Sequence, residues 1–297
     1  MTGSTGTGRS YSKVSRAPWQ EGLDRLRANR AASVSLCTLI FIVIFALLGN
    51  SLSPWKYADI DWANAGQNLG PTLQSAHFFG IDANGRDIFV RTLKGAQISL
   101  ALAFVASFVS LSIGVAYGAI AGYLGGACDE IMMRIVDILY SLPYIFFVII
   151  LMSVFGRNFI LLFIAIGAVE WLTMARIVRG QTLSLRRKEF VEAARAAGLT
   201  APQIVLRHIV PNLAGPVIVY LTLTIPGIIL AESFLSFLGL GVQEPLTSWG
   251  RLISEGAQEL ENAPWLLLFP AGFMCITLIC FNFVGDGLRD ALDPKDQ

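Results

Sequence analysis

Glu192-Ala-Ala-Arg-Ala-Ala-Gly-Leu-Thr-Ala-Pro-Gln-Ile-Val-Leu-Arg-His-Ile-Val-Pro-Asn212 is a water-compatible island between two long apolar stretches. Ala193, Ala194, Ala196 and Ala197 are strong helix formers, and Gly198 is a natural helix stop, expected at positive φ. Thr200, followed three residues later by Gln203, reads as a capping box that opens a second short helix over 201–209. Pro211 and Asn212 are expected to end that helix before the next apolar run. A helix–glycine–helix of this kind makes a compact surface knob.

Composition identifies the solvent around the rest. Apolar residues make up 54% of the chain and charged residues 14%, with a mean hydropathy of +0.61. A soluble domain carries about 25% charged residues. Crossing a bilayer takes roughly 20 apolar residues, and five charge-poor runs qualify: 31–55, 95–128, 138–156, 208–231 and 262–285. A sixth, from Asn158 to Ile177, is interrupted by Glu170. The expected fold class is therefore an all-α membrane protein with six transmembrane helices. The first run is too long for the apolar core of a secretory signal and lacks a convincing cleavage site, so it reads as an anchor helix.

Basic residues orient the spans. With the N-terminus inside, the inner segments hold Arg9, Lys13, Arg16, Arg25, Arg27, Arg30, Arg134, Arg176, Arg179, Arg186, Arg187, Lys188, Arg195, Arg207, Arg289 and Lys295. The outer segments hold only Lys56, Arg86, Arg91, Lys94, Arg157 and Arg251. The bias of 16 to 6 places both termini and the knob in the cytoplasm. The expected organisation is a tail and interfacial helix over 1–30, with residues 1–17 disordered and the helix beginning at Trp19. A first span follows over 31–50, then an outside loop over 51–95. A five-span core covers 96–286 with the knob at 190–212, and a tail covers 287–297.

Several local patterns carry chemistry. In the outside loop, Phe79-Gly-Ile-Asp-Ala-Asn-Gly-Arg-Asp87 joins an Asn-Gly turn to Asp87, the expected cap of the next helix. Ala106, Ser110, Gly114, Gly118, Gly122 and Gly126 put a small residue at every fourth position, which lets a neighbouring helix approach closely. Strict four-residue spacing drifts around a helix of 3.6 residues per turn, so this groove should wind rather than hold one face. Pro143 and Pro226 should kink their spans. Asp137 is expected to pair with Arg134. Glu170 and Glu232 lie within spans, where a charge must face protein or water. Glu232 is expected near the outer mouth, either paired with Arg86 or Arg251, meeting a peptide amine, or hydrogen-bonded structurally to Ser233 or Ser236.

Other chemistry is missing from the sequence. No P-loop signature occurs, so this chain cannot cradle ATP that way. His77 and His208 are the only histidines, which leaves no credible nucleophile–histidine–acid arrangement and no expected metal site. Cys37, Cys128, Cys275 and Cys280 form no Cys-x-x-Cys motif. A net charge of +1 gives no argument for nucleic acid. The chain is not expected to be an enzyme.

The knob resembles the EAA coupling segment of ABC-importer permeases, with Glu192, Ala193, Ala194, Gly198 and Pro211 at the family's positions. His208 stands where many members carry an aliphatic residue. Phe79–Asp87 resembles the peptide/nickel-permease signature GTD-x-x-GRD, with Ile81 in place of the threonine. Met174–Leu185, Ser233–Gly250 and Gly285–Pro294 extend the likeness over almost all of the chain from Ala31. It is most similar to the C-type permeases of bacterial oligopeptide importers, with the type I permease fold. That resemblance implies a bacterial inner membrane, a second permease subunit, two ATP-binding subunits that use ATP and magnesium, and an extracytoplasmic peptide-binding protein. It implies contact with membrane lipid and with peptide, and no cofactor bound by this chain. ATPase coupling would fall to Glu192, Ala193, Ala194, Gly198, Pro202, His208 and Pro211. Glu232 and Glu170 would serve the translocation path or gate, and Gly114, Gly118 and Gly122 helix packing. Two alternatives stay open: a dipeptide or nickel permease of the same architecture, and a proton-coupled secondary transporter using Glu170 and Glu232.

Overall fold

A computed structural model describes residues 24–156 and 159–292. Among them every regular element is helical. Most of the tail, including the expected start of the interfacial helix at Trp19, lies outside the described residues; residues 24–28 are helical. The helices are α1 (Arg30–Leu48, extended by a 3-10 turn over Gly49–Leu52), α2 (Ile88–Leu124), α3 (Gly126–Ser141), α4 (Tyr144–Phe155) and α5 (Phe159–Leu185). They continue as α6 (Glu189–Ala196), α7 (Ala201–Ile204), α8 (Ala214–Phe237), α9 (Trp249–Gln258) and α10 (Trp265–Leu292).

Helices α1, α2, α5, α8 and α10 are each long and apolar enough to cross a membrane. Helices α3 and α4 form a sixth, broken span with a bend of 79°. The break has a local cause. Proline disfavours the helical region in the residue before it and cannot donate a backbone bond. Leu142 accordingly turns to ψ 129 and Pro143 caps α4. Pro226 and Pro270, by contrast, sit inside continuous helices.

Boundaries moved where charges had suggested loop. The second span begins at Ile88, not 95, because Asp87 Oδ1 accepts the Val90 N–H at 2.9 Å. Arg91 and Lys94 therefore lie in its first turns, the former reaching Glu255 at 3.4 Å and the latter Gln97 at 3.0 Å. The span stops at Leu124 rather than 128, where Gly125 takes φ 67. The third span begins at Gly126 rather than 138, the fifth runs over Ala214–Phe237, and α10 carries on to Leu292 through part of the expected tail.

Two ends of the bundle can be told apart. At one, Tyr57 donates its hydroxyl to the Pro245 carbonyl at 2.6 Å, and the Trp249 indole donates to the Thr92 carbonyl at 3.1 Å. The first ties the 53–87 loop to the segment before α9, and the second seats α9 on α2. At the other end lie the knob, Leu26 and Asn29 against Gly287, and Arg289 and Leu292 beside Asn212 and Gly215. Both ends of the described chain thus share the knob's side.

Candidate functional site

The knob is anchored. Helix α6 buries Val191 and Ala194 and exposes Glu192, Ala193 and Arg195. Ala194 is thus a packing residue beneath the exposed surface of the knob. Gly198 takes φ +82, and the Leu199 N–H reaches back to the Ala194 carbonyl at 3.2 Å, closing the helix as a left-handed cap does. Gln203 Oε1 accepts the Thr200 N–H at 2.9 Å while the Thr200 side chain accepts the Gln203 N–H, the two reciprocal bonds of a capping box. Ile204 and Ile209 are fully buried and pack with Ala119 and Tyr123 of α2 and Met174 and Val178 of α5. Pro202, Gln203, Leu206 and Arg207 stay exposed. The arrangement offers an outward surface whose underside is bolted to two spans.

Pro211 does not end the second helix. A π-type turn over Val205–Ile209 widens the coil, and the chain runs through Val210–Asn212 and Leu213 into α8. A proline ring clashes with the carbonyl four residues back, and it has no N–H to place. Inserting one residue per turn relieves both problems. The Val210 N–H bonds to the Val205 carbonyl, and Asn212 Nδ2 takes the His208 carbonyl at 2.6 Å. The knob therefore continues into a membrane-spanning helix through one turn residue, Leu213.

The small-residue stripe packs α2 on α5. A methyl group at Gly114 would lie 2.6 Å from Met174 Cβ, one at Gly118 would lie 2.9 Å from the Arg179 nitrogen, and one at Gly122 would lie 2.8 Å from the Arg179 oxygen. The expected winding is absorbed by a single neighbour, because α5 follows the stripe along its length. Gly126 falls outside it, in the turn that opens α3.

Charged residues tie α3 to the same helix. Arg179 grips Asp129 with two bonds, Nε to Oδ1 at 2.8 Å and Nη2 to Oδ2 at 2.6 Å. Asp137 pairs with Arg176 at 2.8 Å, not with Arg134. Arg134 lies on the same helix, but α5 runs alongside and presents Arg176, whose guanidinium also stacks over the Tyr140 ring at 4.2 Å. Glu170 lies half-buried on α5, close to Tyr220, whose hydroxyl meets Thr173. Beyond Tyr220, Ile177, Gln181, Asn212, Pro216 and Arg289 help line a groove of about 790 Å³ between α5, α8 and α10.

Glu232 makes neither expected arginine pair. Its side chain is fully enclosed, with Oε1 accepting the hydroxyls of Ser236 and Ser248, each at 2.6 Å. Of its expected structural partners Ser236 is present, whereas the Ser233 hydroxyl turns to the Ile229 carbonyl at 2.9 Å. The arginines are engaged elsewhere: Arg86 with Asp82 at 2.7 Å and Glu244 at 2.8 Å, and Arg251 with Glu255 at 2.6 Å. Hydrogen bonding from Arg86 holds the Glu244 carboxyl below its ordinary range. Burial pushes the Asp87 carboxyl up, against the pull of its bonds to Val90 and His77. His77, fully buried under Trp55, bridges Asp87 at 2.8 Å and Asp61 at 3.3 Å, a knot that no local spacing announced.

Residues 114–295 match the family model described as binding-protein-dependent transport system inner membrane component. Residues 17–71 match the N-terminal TM domain of oligopeptide transport permease C. The chain is 56% identical over 282 residues to the oligopeptide transport system permease protein OppC of Haemophilus influenzae, covering 95% of this chain and 90% of that one. It is 44% identical over 277 residues to the dipeptide transport system permease protein DppC of Bacillus subtilis, covering 93% and 85%. A solved structure of the MetNI methionine ABC transporter superposes with a TM-score of 0.56 at 20% identity, covering 67% of this chain and 95% of that one.

Proposed function

Because this chain belongs to the family of binding-protein-dependent transport system inner membrane components, as a permease subunit of the ABC transporter class, we propose that it supplies half the membrane path of an ATP-driven oligopeptide importer. One observation carries the mechanical part. The exposed knob is rooted by Ile204 and Ile209 between α2 and α5, and it runs on through a single turn residue, Leu213, into α8. Motion of a docked ATPase pair would reach three spans as one body, as alternating access between two conformations requires. ATP and magnesium belong to two partner subunits, a second permease supplies the other half of the path, and an extracytoplasmic binding protein delivers the peptide. The 16-to-6 bias of basic residues supports a cytoplasmic knob and cytoplasmic termini in a bacterial inner membrane.

Identity of 55–56% to the Haemophilus influenzae and Escherichia coli oligopeptide permeases supports oligopeptides, and because the Bacillus subtilis oligopeptide and dipeptide permeases stand at 45% and 44%, uptake decides between the two classes. The test is uptake of labelled tripeptides and dipeptides by cells lacking their own peptide permeases and supplied with this chain and its co-purifying partners. ATP-dependent tripeptide uptake that vanishes without this chain is the expected result. Uptake of dipeptides alone would move it to the neighbouring class.

A further inference from the structure

Arg176 and Asp137 stand on membrane-spanning elements, yet their side chains are 38% and 63% exposed. Arg176 lies nine residues before the end of α5, roughly 14 Å from that end at 1.5 Å per residue. Charges on a spanning helix do not face hydrocarbon; they turn to water or to another protein surface. Three further features mark this face. The span breaks beside it, at Leu142-Pro143, and broken spans of transporters place unwound backbone around substrate rather than lipid. Tyr140 stacks on the guanidinium and Asp137 takes one of its nitrogens, which fixes the plane of the group while leaving other N–H donors uncommitted among the described residues. Thr173, one turn before Arg176 on α5, meets the hydroxyl of Tyr220, which lines the groove between α5, α8 and α10.

The geometry points to Arg176 as a binding residue for the C-terminal carboxylate of the peptide in transit, oriented by Asp137 and Tyr140. The inference rests on the peptide-importer reading above. A planar guanidinium held by a neighbour is suited to a carboxylate, which it meets with two parallel bonds. Glu170 lies six residues earlier on α5 and roughly 120° around the helix, so the carboxylate end of the peptide is the end this face recognises. A lipid phosphate would satisfy the same guanidinium, and the test separates the two sources.

Uptake of a tripeptide with a free carboxylate and of its C-terminal amide is measured for the assembled transporter carrying wild-type chain, Arg176→Gln or Arg176→Lys. Selection by the binding protein is common to all three and cancels when variants are compared. Loss of a charged hydrogen-bonded pair should reduce uptake of the free acid about tenfold or more in Arg176→Gln, while the amide changes less than about twofold. Arg176→Lys keeps the charge and loses the fork, so it should fall between the two and still favour the acid. Equal loss for acid and amide, or no loss for either, overturns the proposal; equal loss is what a lipid-phosphate or purely structural role gives. Should Arg176→Gln fail to assemble, the acid-to-amide ratio of Arg176→Lys decides alone. Wild-type transporter that takes up neither peptide refutes the importer reading itself, a separate failure.

Discussion

Asp129 and Arg179 are joined by two short bonds that close the gap between the first turn of α3 and the middle of the α2–α5 seam. Asp129 is buried and Arg179 half-exposed, so the pair clamps the inner arm of the broken span to the helix that carries the knob. Asp129→Asn should lower the unfolding free energy by about 1–3 kcal/mol, since one partner is left without its charge complement. Arg179→Lys should cost less, because it keeps the charge and loses only the fork. Thermal unfolding of the detergent-solubilised chain reads both. Equal stability of Asp129→Asn and wild type would show the clamp to be idle.

Close approach at Gly118 gives the second expectation. A side chain there meets the Arg179 nitrogen and Val178 Cβ, each at 2.9 Å, and backbone cannot yield as a flexible side chain can. Gly118→Ala should destabilise by about 1–3 kcal/mol through overpacking. Gly180 is the control: it is helical, exposed and has open space around it. Gly180→Ala should be neutral or stabilising by roughly 0.5–1 kcal/mol. Identical effects at the two sites would deny the stripe its packing role.

Gly198 has φ +82 and nothing within contact distance of an added Cβ, so any penalty there is backbone strain. Gly198→Val should cost about 1–2 kcal/mol in that conformation and redirect α7, whereas Gly198→Asn should be better tolerated. The spans should insert normally in both. Peptide-stimulated ATP hydrolysis of the assembled transporter should fall in Gly198→Val and largely persist in Gly198→Asn. Full hydrolysis and uptake in Gly198→Val would count against a mechanical knob.

Ser248 links two jobs. Its hydroxyl donates to Glu232 and accepts the Arg251 N–H at 3.1 Å, capping α9. Ser248→Ala should therefore cost about 1–2 kcal/mol. Glu232→Gln retains a carbonyl oxygen for both serines, and uptake should stay within about twofold of wild type. Strongly slowed uptake by a well-assembled Glu232→Gln complex would restore a gating role for the charge.

Local devices were legible and distant pairings were not. Asp87, Thr200 and Gly198 act within a few residues of themselves, and sequence spacing carries that information. Asp137 shows the contrast: Arg134 is three residues away, yet the partner is Arg176, 39 positions distant. Only the assembled bundle decides which of two arginines faces the carboxylate. Glu232 likewise finds Ser248 from another helix, 16 positions on. Pro211 signals a stop because the ordinary helix has no room for it, and a π turn makes room. Arg91 and Lys94 delay the expected start of α2, since Arg91 finds Glu255 on α9 and Lys94 finds Gln97 one turn on, neither of which is visible as a helix signal in the sequence.

Coupling requires the knob to meet an ATP-binding subunit, and Gln203 is exposed at its outer surface. A photoreactive amino acid at position 203 of the full-length chain, irradiated in inverted membrane vesicles holding the whole transporter, reports what lies against it. The expected product is a cross-link between this chain and an ATP-binding subunit, weakened or strengthened by ATP as the pair closes. A cross-link to the peptide-binding protein, or none to an ATP-binding subunit in a transporter that still takes up peptide, would contradict it.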